Sequence, residues 1–167
     1  MWMVPALIGY NAKIDMSIQV NHISKDSCLV IANDSLKYSV CLPSGVKHNI
    51  KTKKRFSHVE DKVTKMHAIM LYFCLKPFLN DIAKLQICPD GSNTRQLNKY
   101  LLGFLLEDSE KDEYLRIKPK FNGVGDVHPS HKHAKMCRKL RQYDLVLDIT
   151  TVGDFILEMQ ERSPIRG

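Results

Sequence analysis

Asp90 has the most sharply defined local setting of any residue in this chain that could do chemistry. It lies in Lys84-Leu85-Gln86-Ile87-Cys88-Pro89-Asp90-Gly91-Ser92-Asn93-Thr94-Arg95-Gln96-Leu97-Asn98. Leu85, Ile87 and Cys88 are apolar, Pro89 and Gly91 punctuate, and Ser92 or Asn93 can cap a helix beginning at Thr94. The stretch reads as a short strand that ends on a carboxylate and turns straight into a helix, which holds a charge rigidly at the rim of a sheet. Such a carboxylate does chemistry only in company. The carboxylates to consider with it are Asp15, in a run of period two, and Glu60, near the start of a helical run.

A second cluster is His128-x-x-His131-x-His133-x-x-x-Cys137. These are borderline-soft ligand types, but no second pair stands at a usual zinc spacing and the neighbouring lysines oppose a dication. A loop followed by a basic helix face is the favoured reading. Neither Gly-x-x-x-x-Gly-Lys-Ser/Thr nor Gly-x-Gly-x-x-Gly occurs, so a nucleotide-cradling loop is not indicated.

The elements that must position these groups can be read from periodicity. Residues 6–20 suit extended structure, with Ile14, Met16, Ile18 and Val20 alternating with Asp15, Ser17, Gln19 and Asn21. Residues 28–32 and 37–42 are two more strands joined by short turns, which makes an antiparallel meander. Residues 43–55 read as a basic loop. A long helix starts from the N-cap Ser57, with Glu60 at the capping-box spacing, and Pro77 kinks it or starts a new turn. The strand 84–89 and a helix over 94–106 come next. Residues 107–113 read as an acidic connector, 114–121 as a strand and 122–126 as a glycine loop. A basic helix over 130–141, a strand over 145–149 and a helix over 152–160 complete the chain.

The length of 167 residues and the ordinary globular composition fit a single α/β domain. No apolar run approaches the ~20 residues that span a bilayer. Residues 1–9 read as the lead-in to a strand and not as a signal peptide, and residues 163–167 as a frayed end. Five cysteines with no Cys-x-x-Cys pair suggest buried free thiols in a reducing, cytoplasmic compartment. The formal charge of +7 favours a polyanionic partner. Its lysines and arginines gather at 47–55 and at 116–141. Both segments can equally be solvated faces.

The order β-β-β-α-β-α-β-α, with a further β-α after it, resembles that of the ribonuclease H-like nucleases. Asp15-Met16-Ser17 stands where the family has a first-strand aspartate, Glu60 where it has a first-helix glutamate, and Asp90-Gly91-Ser92 where an aspartate ends the fourth strand. His133 is the nearest fit to the family's fourth metal-binding group, with Asp126 and His131 as competitors. The chain departs from the pattern at Met16, at Pro77, at the fourth position and in its added strand and helix. The resemblance implies a mixed five-stranded sheet over about residues 5–141, with 142–167 as a C-terminal extension.

It further implies a magnesium- or manganese-dependent endonuclease, with Asp15, Glu60 and Asp90 as metal ligands and His133, or His128, assisting proton transfer. Phosphodiester hydrolysis of this kind uses two divalent ions ~4 Å apart. The default substrate is the RNA strand of an RNA–DNA hybrid. Lys51, Lys53, Lys54 and Arg55 on one side, and Lys132, Lys135 and Arg138 on the other, would hold phosphates, with Asn33, Asn93 and Thr94 near sugar or backbone. Each carboxylate also has a structural alternative: Glu60 or Asp90 as a helix cap, Asp61 in place of Glu60, Asp15 as a solvent-facing strand residue. The competing functions are a non-catalytic nucleic-acid- or protein-binding module and a resolvase-like DNA endonuclease.

Overall fold

The computed structural model describes residues 10–125 and 128–162. The expectations placed on residues 1–9, on Asp126 and on residues 163–167 lie outside them.

The meander forms as the sequence predicts. β1 (Tyr10–Ser17), β2 (Ser27–Ala32) and β3 (Lys37–Leu42) pair antiparallel in succession. Asn33 closes the second turn with its side-chain oxygen, which accepts from the N–H groups of Ser35 at 2.8 Å and Leu36 at 2.7 Å. Asn33 is thereby a turn former. β4 (Ile82–Ile87) lies parallel to β1, and the two-residue β5 (Lys120–Phe121) parallel to β4.

The sheet has six strands, not five, in the order β5-β4-β1-β2-β3-β6. β6 (Leu145–Val146) adds parallel to β3. Asp144 secures it, accepting at Oδ2 from the Ser39 N–H at 2.8 Å and the Ser39 hydroxyl at 3.0 Å.

Helices cover both faces. One face carries Ala12, Ile14, Met16, Leu29, Ile31, Val40, Leu42, Leu85 and Ile87 into the main core. That core is closed by α2 (Lys62–Leu75) and by α6 (Ile149–Glu161), whose Val152, Ile156 and Met159 are buried. The residues after 141 are therefore built into the core and are not an appendage. On the other face α5 (Pro129–Leu140) crosses β1 and β2 and reaches β3, packing Ala134 and Cys137 on Cys28, Val30 and Ala32. This three-layer packing buries every residue of β2 and removes the solvent side that an antiparallel meander usually keeps.

Three segments differ from their sequence reading. Residues 43–55 hold α1 (Ser44–Thr52) and a 3₁₀ turn (Lys54–Phe56) in place of a loop. Val46, Lys47 and Ile50 give α1 its buried side, and a lysine there disguises the stripe. Lys47 is 0% exposed. Its Nζ donates to the carbonyls of His22 at 3.1 Å and Lys25 at 2.8 Å and to Ser27 Oγ at 2.5 Å. It is a brace for the β1–β2 turn and not a surface cation.

Residues 107–117 hold α4 (Asp108–Ile117) in place of a connector and the first half of a strand, and only the end of the expected 114–121 strand forms, as β5. Its capping box is Glu107 with Glu110, and Tyr114 and Ile117 bury together while Leu115 stays exposed. The apparent alternation at 114–117 is one turn of helix. Finally, α3 (Thr94–Tyr100) passes into a π-helical turn (Leu101–Leu105) before α4 begins. No helix among the described residues is long and apolar enough to cross a membrane.

Candidate functional site

β1 and β4 lie side by side in register, with Lys13 opposite Gln86 and Ile14 opposite Ile87. One step further along the two chains stand Asp15 and Cys88, and the Cys88 N–H extends the ladder by donating to the Ile14 carbonyl at 2.9 Å. Side chains alternate along each strand, so Asp15 and Cys88 project to the same face. The chain then turns through Asp90 and Gly91, both at positive φ (46° and 82°), which returns the Asp90 carboxylate to that face. Aspartate tolerates the left-handed region better than most residues, and glycine enters it without strain. The ligand-type atoms of Asp15, Cys88 and Asp90 all lie within 4.8 Å of one another.

Asp15 is 4% exposed. Its Oδ1 accepts from the Met16 N–H at 2.9 Å and its Oδ2 from His131 Nδ1 at 2.7 Å. A carboxylate oxygen only accepts, so the imidazole proton sits on Nδ1. Asp90 Oδ2 is buried and has no hydrogen-bond partner among the described residues. Burial first, and the nearby Asp15 carboxylate second, push Asp90 up to about 7. Burial and Asp90 together push the Cys88 thiol up to about 12. Two acids and a thiol crowded in this way are a poor arrangement for anions unless a cation joins them.

His131 reaches the site and His133 does not. Helical residues advance ~100° each, so two residues apart they point to nearly opposite sides. His131, Ala134 and Arg138 share the face that meets the sheet, where Arg138 Nε donates to Ser17 Oγ at 3.1 Å. His133 faces the β3–β6 side, with Nε2 3.2 Å from Cys137 Sγ, beside Ser39 and Asp144. Of the two histidines, the structure brings His131, and not His133, to Asp15. His128 caps α5, its Nδ1 accepting from the Ser130 N–H at 3.1 Å.

Glu60 is not part of the group. α2 begins at Lys62 with Asp61 as N-cap, so Glu60 precedes the helix and does not sit in its first turn. Its N–H donates to Gln160 Oε1 at 3.0 Å, and its carbonyl accepts from Lys65 Nζ at 2.6 Å. Asp61 accepts from the Tyr100 hydroxyl at 2.7 Å. The groups that α2 does bring towards Asp90 are Val63 and Thr64, which line a depression of about 300 Å³ with Gln19, Asn21, Asp90 and Asn93. One turn further on, His67 is buried, with Nδ1 2.8 Å from Ser92 Oγ; burial pushes its imidazole down to about 4.

No family model, curated protein or solved structure matches this chain.

The cations divide into three sets. Lys51 and Lys62 line a groove with Asn21, Val63 and Met66 that adjoins the Asp90 depression through Asn21 and Val63. Lys53 and Lys54 are exposed. Arg55 is occupied differently: its guanidinium lies 4.5 Å from the Phe56 ring centroid, and a Cβ on Gly153 would come within 2.8 Å of it. On α5, Lys132 and Lys135 are exposed while Arg138 is tied to Ser17. Lys13, Lys84, Lys118 and Lys120 line a separate groove of about 500 Å³. Lys13 lies on the Asp15 side of β1, one alternation away, a placement that no sequence run reveals because the four lysines come from separate elements.

Proposed function

We propose that the chain is a ribonuclease H-like, divalent-metal-dependent phosphodiesterase acting on nucleic acid, with the RNA strand of an RNA–DNA hybrid as the default substrate. The observation that carries this reading is the meeting of Asp15 and Asp90 at the ends of adjacent parallel strands, with His131 of α5 closing on Asp15. The strand order β5-β4-β1-β2-β3, with three antiparallel strands first and two parallel ones after them, supports it.

Asp15 and Asp90 fit a magnesium or manganese ion in charge, and the buried, unpartnered Asp90 Oδ2 offers a coordinating atom. Such an ion, when bound, polarises a phosphoryl oxygen and lowers the pKa of water. The chain's own groups hold and orient. His131 fixes the Asp15 carboxylate through its 2.7 Å contact, and the β1–β4 ladder keeps both strand ends rigid. Lys51 and Lys62 on one flank, and Lys132 and Lys135 on the other, supply phosphate contacts that position a strand without reading its sequence.

The test is cleavage of labelled hybrid, duplex or branched DNA, and single-stranded RNA, with Mg²⁺ or Mn²⁺. Hybrid cleavage that falls at least ~100-fold in both Asp15→Asn and Asp90→Asn supports the reading. No cleavage of any substrate by the wild type refutes it. Among the described residues only two carboxylates meet at the site, which favours one second reading, a module that binds nucleic acid without cutting it; salt-sensitive binding with no product would show that.

A further inference from the structure

The donor set beside Asp90 is not one that magnesium favours. Magnesium takes hard oxygen ligands in near-octahedral geometry, whereas Cys88 places a sulfur between the two carboxylates. Its position is set by backbone pairing: it follows Ile87, which pairs with Ile14, and its N–H donates to the Ile14 carbonyl, which places it beside Asp15 within the 4.8 Å cluster. Cys28, Cys41, Cys74 and Cys137 are buried, but Cys88 is partly open.

We propose that Asp15, Cys88 and Asp90 form a binding site for a borderline-soft dication such as Zn²⁺ or Co²⁺, with Cys88 as thiolate ligand and His131 as the group that orients Asp15. This rests on the reading of Asp15 and Asp90 as a metal site and departs from the all-oxygen site that the resemblance implies.

Two further observations point to a ligand. Asp90 Oδ2 is buried with no partner among the described residues. Asp15 Oδ2 is already aligned by His131, as an outer partner aligns a coordinating group. Zinc bonds of ~2.0–2.3 Å at tetrahedral angles set donors ~3.5 Å apart, so side-chain rotations of about an ångström close the cluster. Three protein donors leave a fourth position for water or a phosphate oxygen, the pattern of a catalytic and not a closed structural site. On binding, the Cys88 thiol proton passes to solvent and the sulfur's freed electron pair forms the metal bond.

The experiment is titration of the metal-stripped full chain with Co²⁺, following the sulfur-to-cobalt charge-transfer band in the near ultraviolet. The proposal expects a band that saturates at one equivalent in the wild type and is absent from Cys88→Ser. It also expects that variant to bind Zn²⁺ at least ~10-fold more weakly, the lower end of the loss seen for outer-shell partners alone. Mn²⁺ binding should change far less. No band in the wild type, a band that persists in Cys88→Ser, or equal loss of both metals overturns it.

A second measurement needs no variant. Zn²⁺, but not Mg²⁺, should slow alkylation of Cys88 by iodoacetamide, mapped by mass spectrometry; equal labelling with both metals overturns the proposal. The two readings fail separately. A Cys88-dependent band in a protein that cuts nothing removes the phosphodiesterase reading alone. Asp90-dependent cleavage without the band removes the thiolate site alone.

Discussion

His67 gives the structure a pH-dependent weakness whose sign and size can be worked out. The side chain is 1% exposed, and burial alone lowers its imidazole from 6.5 to about 4. In the unfolded chain the ring takes a proton below ~6.5; in the folded protein it stays neutral until pH falls to about 4. Protonation therefore favours the unfolded state across that window. The stability due to a neutral His67 is fully present above pH 6.5, falls as pH drops, and is lost by about pH 4. At ~1.4 kcal/mol per pKa unit the loss is about 3 kcal/mol, a large part of a typical domain's stability.

Asp90 acts in the opposite direction, because a carboxyl held at about 7 takes up its proton earlier in the folded state. The wild-type curve alone therefore understates His67. The informative quantity is the difference between the wild type and His67→Asn, which keeps an amide near the Nδ1 position facing Ser92. Urea unfolding of both proteins in chelator at pH 7, 5.5 and 4.2 isolates it. Relative to the wild type, the variant should gain about 3 kcal/mol between pH 7 and pH 4.2. A difference that stays constant with pH would refute the reasoning.

Two other substitutions test what the tertiary structure changed. Lys47→Met leaves two turn carbonyls and Ser27 Oγ without their charged donor, and should cost about 3 kcal/mol at pH 7 by urea unfolding. A cost under ~0.5 kcal/mol, as for an ordinary surface site, would contradict the bracing role. Glu60→Gln should leave hybrid cleavage within about twofold of the wild type, because this residue acts through its backbone. A loss as deep as that of Asp15→Asn would return Glu60 to the site.

The strands of the meander, the turn at Asn33, the strand that leads to Asp90 and the basic helix over 130–141 are all legible from local pattern. Each is governed by interactions between near neighbours in sequence: alternation, an Asx turn, a Pro-Asp-Gly break. α1 and α4 were not legible. In α1 the buried position is a lysine, whose partners are carbonyls from a turn more than twenty residues earlier. In α4 one helical turn imitates alternation, although the capping box at Glu107 and Glu110 was there to be read.

The site divides in the same way. Asp90 could be picked out by its place between a strand and a capped helix, and Asp15 by its place on the first strand in the order that the family resemblance supplies. Which groups join them depends on strand register and on the rotation of α5 about its axis. The register is set by backbone pairing of β1 with β4 and places Cys88 beside Asp15. The rotation is set by how α5 packs on the sheet and selects His131 over His133, while the packing of α2 and α6 leaves Glu60 with Gln160 and Lys65. The sequence by itself determined where the carboxylates stand along the chain; only the tertiary structure decided their company, because that contact is made between residues up to 116 positions apart.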